Sequence, residues 1–151
     1  MKKIMALALT VIAIFALAAC KTEENGATES GNASNERGYV ECAIDFPTLL
    51  PDGGLQYGSG MDTYENAKTL EDILKGGING KTEAVFDEEG NLIELGGIKA
   101  EGGNYFMYST FNEQNRYEVL DKKPREIILA DFASYAIKLV DENGVEVSHI
   151  S

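Results

Sequence analysis

The sequence predicts an α+β fold: a small domain built on a mainly antiparallel sheet with one short helix. Apolar and polar side chains alternate from Val40 to Phe46, which is the period of a half-buried strand. Thr69 to Lys75 carries leucine and isoleucine at helical spacing. Asn143-Gly144 separates two apolar runs and is typical of a tight hairpin turn.

The first strand is expected to end at Pro47 and Pro51. Residues 47 to 66 are predicted to be irregular, because glycines are interleaved there with aromatic residues, among them Tyr57 and Tyr64. A structureless stretch of that length is more often functional than not. We therefore treat it as a candidate binding loop.

The predicted helix has Thr69 as its cap, acidic residues in its first turn and Gly76-Gly77 at its end. A hairpin is predicted around residues 87 to 91, where the spacing of oxygen ligands does not match a calcium loop. Further strands are predicted at 105–111, 126–130, 135–140 and 145–150.

Residues 1 to 19 have the pattern of a secretory signal. Lys2 and Lys3 precede an apolar run that contains only one polar residue, Thr10, and that is too short to span a membrane. Leu17-Ala18-Ala19-Cys20 then resembles the bacterial lipobox, whose Cys receives diacylglycerol before cleavage on its N-terminal side. The resemblance implies a cleaved signal peptide at 1–19, a lipid on Cys20, and a protein anchored in the cell envelope on the extracytoplasmic side. Two or three acyl chains would give lasting attachment to the membrane.

Residues 20 to 37 are almost wholly polar and are predicted to be a flexible linker, which leaves one domain at 38–151. This domain has 21 acidic and 9 basic residues, and the whole chain has a formal net charge of -12. Such a charge disfavours nucleic acid as a partner. With Cys20 acylated, Cys42 has no partner for an intramolecular disulfide, and its apolar neighbours predict a buried strand thiol.

Three segments carry a family resemblance: Thr69 to Lys75, Gly97-Ile98, and the aromatic run Tyr105 to Asn112. Their order resembles the domain related to the C-terminal domain of transcobalamin and intrinsic factor, over roughly Val40 to Val140. Phe106 stands where the family usually has Trp, and Glu113 where it has Gly. The resemblance implies a grasp-like fold and a ligand-binding role, with a cobamide as one possible ligand. In the animal carriers this domain closes over cobalamin beside a helical domain, which this chain lacks.

Both faces of the predicted strand 105–111 carry aromatic residues. Phe106, Tyr108 and Asn112 share one face, while Tyr105 and Phe111 share the other. One face is expected to join the core and the other to form a recognition platform, unless Tyr57 or Tyr64 covers it. The predicted ligand-binding residues are Tyr57, Tyr64, Phe106, Tyr108 and Asn112. A basic cluster at 122–125 is either a functional patch or a solvated turn.

The sequence offers little for catalysis. His149 is the only histidine and falls in a predicted strand, so it is not expected to act as a general base. No zinc site can be assembled from one histidine and one remaining cysteine, and no nucleophile motif occurs. We predict a binding module for a small molecule, a glycan or a protein segment, and not an enzyme. The alternative is a structural component of a cell-surface complex.

Overall fold

The computed structural model describes residues 37–58 and 60–150. The predicted signal peptide, Cys20 and all of the predicted linker except Arg37 lie outside these residues. The described chain forms nine strands and one α-helix, and the predicted α+β class is confirmed. The elements are β1 (Tyr39–Leu49), β2 (Leu55–Gly58), β3 (Met61–Glu65), α1 (Leu70–Gly76), β4 (Ala84–Phe86), β5 (Leu92–Leu95), β6 (Ile98–Lys99), β7 (Tyr105–Phe111), β8 (Tyr117–Leu120), a 3₁₀ helix (Pro124–Glu126) and β9 (Ser134–Val140).

The main sheet has six strands in the order β2-β1-β9-β7-β8, with β3 also paired to β1. The first and last strands are adjacent and parallel, with Ala43 beside Ser134 and Asp45 beside Ala136. All other strand pairs in this sheet are antiparallel. A second, three-stranded sheet has the order β4-β5-β6. The central parallel pair has β2 and β3 on the outer side of β1 and the β7–β8 hairpin on the outer side of β9, a grasp-like arrangement as expected for this fold class.

The prediction of an irregular stretch at 47–66 was wrong. The chain turns at 50–54 and returns as β2 and β3, which pair with β1 in one register, as Phe46 opposite Gly58 and Ala43 opposite Met61 show. Strand β2 ends at Gly58, and β3 begins at Met61 after Gly60. These glycines break the alternation of side chains that would otherwise indicate an edge strand in the sequence.

Pro47 was expected to end β1, yet the strand continues to Leu49. The Leu50 N–H donates to the Gly54 carbonyl, so even-numbered residues of β1 direct their backbone groups toward β2. The nitrogen of Pro47 therefore points away from β2, toward the side where pairing with β9 has already stopped at Asp45. Since no N–H is needed there, proline fits the strand.

Helix α1 forms where it was predicted. Thr69 accepts a hydrogen bond from the Asp72 N–H (3.3 Å), and the Asp72 carboxylate accepts one from the Thr69 N–H (2.8 Å), which is a complete capping box. Gly77 ends the helix at φ 81°, a conformation that glycine adopts without strain. Leu70, Ile73 and Leu74 are buried, as the sequence predicts.

The core lies between one face of the main sheet and a layer formed by α1, the small sheet and the 3₁₀ helix. Cys42 is fully buried and free, in agreement with the prediction of a buried strand thiol. Fully buried side chains from both layers meet there, including Ile44, Leu70, Leu74, Ile78, Leu95, Ile98, Leu129, Ile137 and Leu139.

Two predicted strands differ from the structure. Residues 126–130 contain the end of the 3₁₀ helix and one isolated bridge, between Ile128 and Thr69. Residues 145–150 are held by isolated bridges, from Glu146 to Val140 and from His149 to Gly54. The Asn143-Gly144 turn does form, since Asp141 and Val145 are joined across it by a backbone hydrogen bond of 2.9 Å. The hairpin of β4 and β5 and the strands β7 and β9 are confirmed.

Within residues 37–58 and 60–150, no helix is long and apolar enough to cross a membrane.

Candidate functional site

Strand β7 has a buried face and an exposed face. Phe106 and Tyr108, which the sequence singles out, are only 6% and 7% exposed and belong to the hydrophobic core. Tyr105 and Phe111 on the opposite face are 45% and 43% exposed. Phe106 and Tyr108 therefore do not form the exposed recognition platform that was expected, and only a small part of each side chain is accessible to a ligand.

An open groove of about 570 Å³ lies along β7. It forms where β8 leaves the sheet: the last pair of the β7–β8 ladder joins Tyr108 to Leu120. From there the chain crosses to the 3₁₀ helix, while the start of β5 closes the far side. The groove is lined by Asn91, Leu92, Tyr105, Phe106, Met107, Tyr108, Val119, Leu120, Asp121, Lys122, Lys123, Pro124 and Glu126. Its volume is in the range of small-ligand sites.

The basic cluster at 122–125 forms one wall of this groove. Lys123 is fixed at both ends, because its Nζ donates to the Glu89 carbonyl (2.9 Å) and its N–H donates to the Glu126 carboxylate (2.9 Å). The Arg125 guanidinium lies against Gly90, where a Cβ atom would come within 3.4 Å of Nη1. These contacts join the groove wall to the β4–β5 turn and make it a defined surface.

The phenol of Tyr108 lies inside the groove rim. Burial raises the pKa of this phenol, and the Leu92 backbone partly opposes that rise. The hydroxyl therefore stays protonated at physiological pH and is available as a neutral donor or acceptor.

The other predicted ligand-binding residues lie elsewhere. The Tyr57 hydroxyl donates to the Val147 carbonyl at 3.3 Å. Tyr64 lines a separate pocket of about 360 Å³ with Phe46 and Met61. The Asn112 side chain accepts hydrogen bonds from backbone N–H groups at 114 and 116, so it stabilises the β7–β8 turn. Of the five predicted residues, the structure brings only Phe106 and Tyr108 together.

A charged cluster on the other face of the main sheet was not anticipated from the sequence. Lys138 Nζ forms an ion pair with Glu146 and lies 5.6 Å from the Tyr57 ring centre and 6.0 Å from that of Tyr117. One carboxylate oxygen of Asp45 is buried there without a hydrogen-bond partner in the described chain. Burial raises the pKa of Asp45, Lys138 opposes that rise and Glu146 adds to it. In the sequence, the one sign of this cluster is Lys138, a single charged residue within the apolar run 135–140.

His149 is used in a structural contact. Its Nε2 lies 2.8 Å from the Asp52 carbonyl, and because a carbonyl only accepts, Nε2 carries the proton. Across the described ranges, no group of three or more His, Cys, Asp or Glu side chains is placed to hold a metal ion.

Neither the family models nor the curated proteins with which the sequence was compared gave a match. The fold and the groove thus define a small α+β domain with an open, ligand-sized site.

Proposed function

We propose that this chain is a lipid-anchored extracytoplasmic binding protein that holds a ligand in the groove beside β7. One observation carries the proposal: an open groove of about 570 Å³ lies at the aromatic strand and is lined by both Phe106 and Tyr108. Aromatic and apolar walls with a few polar groups are typical of ligand sites. The resemblance to the transcobalamin C-terminal domain supports a binding role over a catalytic one.

The anchor is part of this proposal. The lipobox-like sequence ending at Cys20 and the polar residues up to Arg37 would hold the domain at a distance from the membrane. Replacement of Cys20 by Ser should release the protein from the membrane fraction. Retention of the Cys20→Ser variant in that fraction would refute lipidation.

The most specific ligand that the family resemblance implies is a cobamide. Pockets of this volume enclose drug-sized molecules, and a corrinoid is larger, so it would lie across the groove and remain partly exposed. Titration of the full chain with cyanocobalamin in a calorimeter tests this version. Absence of heat at high concentration would exclude it while leaving smaller ligands open to the next experiment.

The groove itself is tested by native mass spectrometry of the protein purified from its membrane, to detect a bound ligand by its added mass. Tyr108→Phe removes one hydroxyl from the groove, and Lys122→Glu reverses one charge on its wall. Lys68→Glu is the matched control, because Lys68 is exposed and lines none of the described pockets. We expect lower ligand occupancy in at least one groove variant and unchanged occupancy in the control. Equal occupancy in all three variants would place the ligand elsewhere.

A second candidate function is assembly with another surface protein. Strand β8 lies at the edge of the main sheet, and its side chains Tyr117 and Val119 are about half exposed beside Phe111. The rings of Phe111 and Tyr117 pack edge to face, 5.2 Å apart. Crosslinking on intact membranes should then capture a neighbour through β8. Loss of that product in Tyr117→Lys, with Lys122→Glu unaffected, would favour assembly over groove binding, because Tyr117 does not line the groove.

A further inference from the structure

Three of the seven residues of β7, Tyr105 to Met107, have no partner strand on the outer edge. Strand β9 pairs with β7 along residues 105–110, whereas β8 pairs only with residues 108–111. The outer edge of β7 at residues 105–107 therefore faces the groove. Unpaired strand edges present N–H and C=O groups that readily accept another strand.

The backbone of Phe106 points into this groove. Asn112 donates its N–H to the Arg116 carbonyl across the β7–β8 turn, so the even-numbered residues of β7 direct their backbone groups toward β8. On the other edge, the carbonyl of Leu139, which lies opposite Phe106, is bonded to the Val147 N–H and so faces away from β7. Both observations orient the N–H and C=O of Phe106 toward the space that β8 has left. No backbone partner for either group occurs among the described residues.

We propose that the ligand of this groove is an extended polypeptide segment that pairs with Phe106 and continues the line of β8. The inference rests on the proposed function, because it names the ligand class of the same site. A donor and an acceptor on one residue, directed outward at a strand edge, match the pairing groups of a peptide backbone. Glycans and corrinoids carry at most isolated amides, without the repeated backbone that would continue the line of β8.

The site accepts a short segment. Tyr105 to Met107 span about 10 Å at the rise of a β-strand, so three to five ligand residues would pair or make contact. The ligand residue opposite Phe106 would direct its side chain to the core side of the sheet, toward Leu92 and Pro124. Its two neighbours would face the exposed side, next to Tyr105.

The charges in and around the groove disfavour an acidic segment. Asp121 and Glu126 balance Lys122 and Lys123 in the lining, although the predicted domain has 21 acidic and 9 basic residues. An uncharged peptide therefore meets no net field in the groove, whereas an acidic peptide is repelled by the surrounding surface.

The probe is a library of random hexapeptides displayed on phage and selected against the full chain in detergent. One selected hexapeptide is then synthesised with two analogues, N-methylated at the odd or at the even positions. Strand pairing uses the N–H groups of alternate residues, so one analogue should bind at least about tenfold more weakly while the other keeps its affinity. No enriched peptide, or an equal effect of both analogues, would overturn the inference.

Hydrogen exchange locates the bound peptide. We expect slower exchange at the Phe106 amide and no change at Tyr117, whose N–H lies on the outer edge of β8 and whose side chain does not line the groove. Tyr117→Pro removes this outward N–H at the first residue of the strand and is the matched control, so the peptide should still bind to it. Protection of Tyr117, or loss of binding in Tyr117→Pro, would assign the peptide to the β8 edge and overturn the inference.

The two proposals fail in different ways. If a small molecule or glycan occupies the groove and is lost in Tyr108→Phe or Lys122→Glu, while no hexapeptide binds, the groove function stands and the peptide inference falls. If a hexapeptide binds without protecting Phe106, and ligand occupancy is also equal in Tyr108→Phe, Lys122→Glu and Lys68→Glu, both proposals fall.

Discussion

The hydroxyl of Tyr135 in β9 accepts a hydrogen bond from the Ala130 N–H at 2.9 Å and donates one to the Ile128 carbonyl at 3.2 Å. One buried side chain thereby pairs two backbone groups of the segment that follows the 3₁₀ helix. This segment does not need a partner strand to satisfy those groups. The other backbone groups of this segment are bonded at 127 and 129, where the Ile127 carbonyl accepts from the Leu70 N–H and the Leu129 N–H donates to the Lys68 carbonyl.

Tyr135→Phe should lower the free energy of unfolding by about 1–3 kcal/mol, because it leaves the Ala130 N–H without its partner. Urea denaturation followed by circular dichroism measures the change. Tyr105→Phe, in an exposed side chain, should change the value by less than about 0.5 kcal/mol. Equal effects of the two substitutions would show that the Tyr135 hydroxyl does not hold this segment.

The capping carboxylate of α1 makes stability depend on acidic pH. Burial raises the pKa of Asp72, but hydrogen bonds from Lys68 and Thr69 outweigh this effect and hold the pKa below 3.8. Its stabilising contribution is thus present above pH 3.8 and is lost as pH falls through the folded-state pKa. Asp72→Asn should cost about 0.5–1 kcal/mol at pH 7, and the cost should shrink as the pH falls through the folded-state pKa of Asp72. A pH-independent cost would contradict this, and Glu88→Gln, in an exposed turn, is the control.

Cys42 should be unreactive in the folded protein. Burial, followed by the charges of Asp131 and Asp62, raises the pKa of this thiol to about 12. At pH 8 only about one thiol in ten thousand would be ionised, and the thiolate is the nucleophile. In a Cys20→Ser background, iodoacetamide should label Cys42 in 8 M urea and not in buffer. Fast labelling in buffer would mean that β1 opens or that the thiol is exposed.

The same thiol predicts a loss of stability in alkali. Because the folded-state pKa of Cys42 lies above the ordinary thiol value of 9.0, the unfolded chain releases its proton first as the pH rises. The free energy of unfolding should fall between pH 9 and 12, with a slope that Cys42→Ala makes shallower by up to about 1.4 kcal/mol per pH unit. Parallel slopes for the two proteins would exclude a role of Cys42.

Phe132 combines two unfavourable features: it is 67% exposed, and its φ of 61° lies in the left-handed region. Glycine adopts this conformation without strain, so Phe132→Gly should leave stability unchanged or raise it by up to about 1 kcal/mol. The melting temperature reports the change. A clear loss of stability would reveal that the Phe132 ring makes a stabilising contact.

The sequence predicted those elements whose local signals agree with their tertiary setting. Helix α1 has its cap, its apolar stripe and its terminal glycines, and β1 and β9 have strong apolar patterns. Strand β8 was missed because Tyr117 to Leu120 is an edge strand with exposed side chains and no alternation. Pairing with β7 determines its structure, and single-sequence patterns do not report pairing.

The site was predicted in part. The aromatic strand led to Phe106 and Tyr108, but the face that they share turned out to be buried. Which face of a strand is covered depends on where distant elements pack, here α1 and the small sheet. The groove also needs the departure of β8 after Leu120 and the position of the β4–β5 turn, both of which are long-range relationships. The basic cluster at 122–125 was the one local sign of this wall.

The parallel pairing of β1 with β9 sets the order in which the domain can fold. Strand β1 can pair with β9 only after almost the whole domain has been synthesised. Pairings between segments so far apart in the sequence are slow to form. If the chain is exported from its N-terminus, β1 emerges first and must wait for Ser134–Val140. A chain truncated before β9 would have no central strand and would present an open β1 edge, so the topology itself distinguishes a finished molecule from an incomplete one.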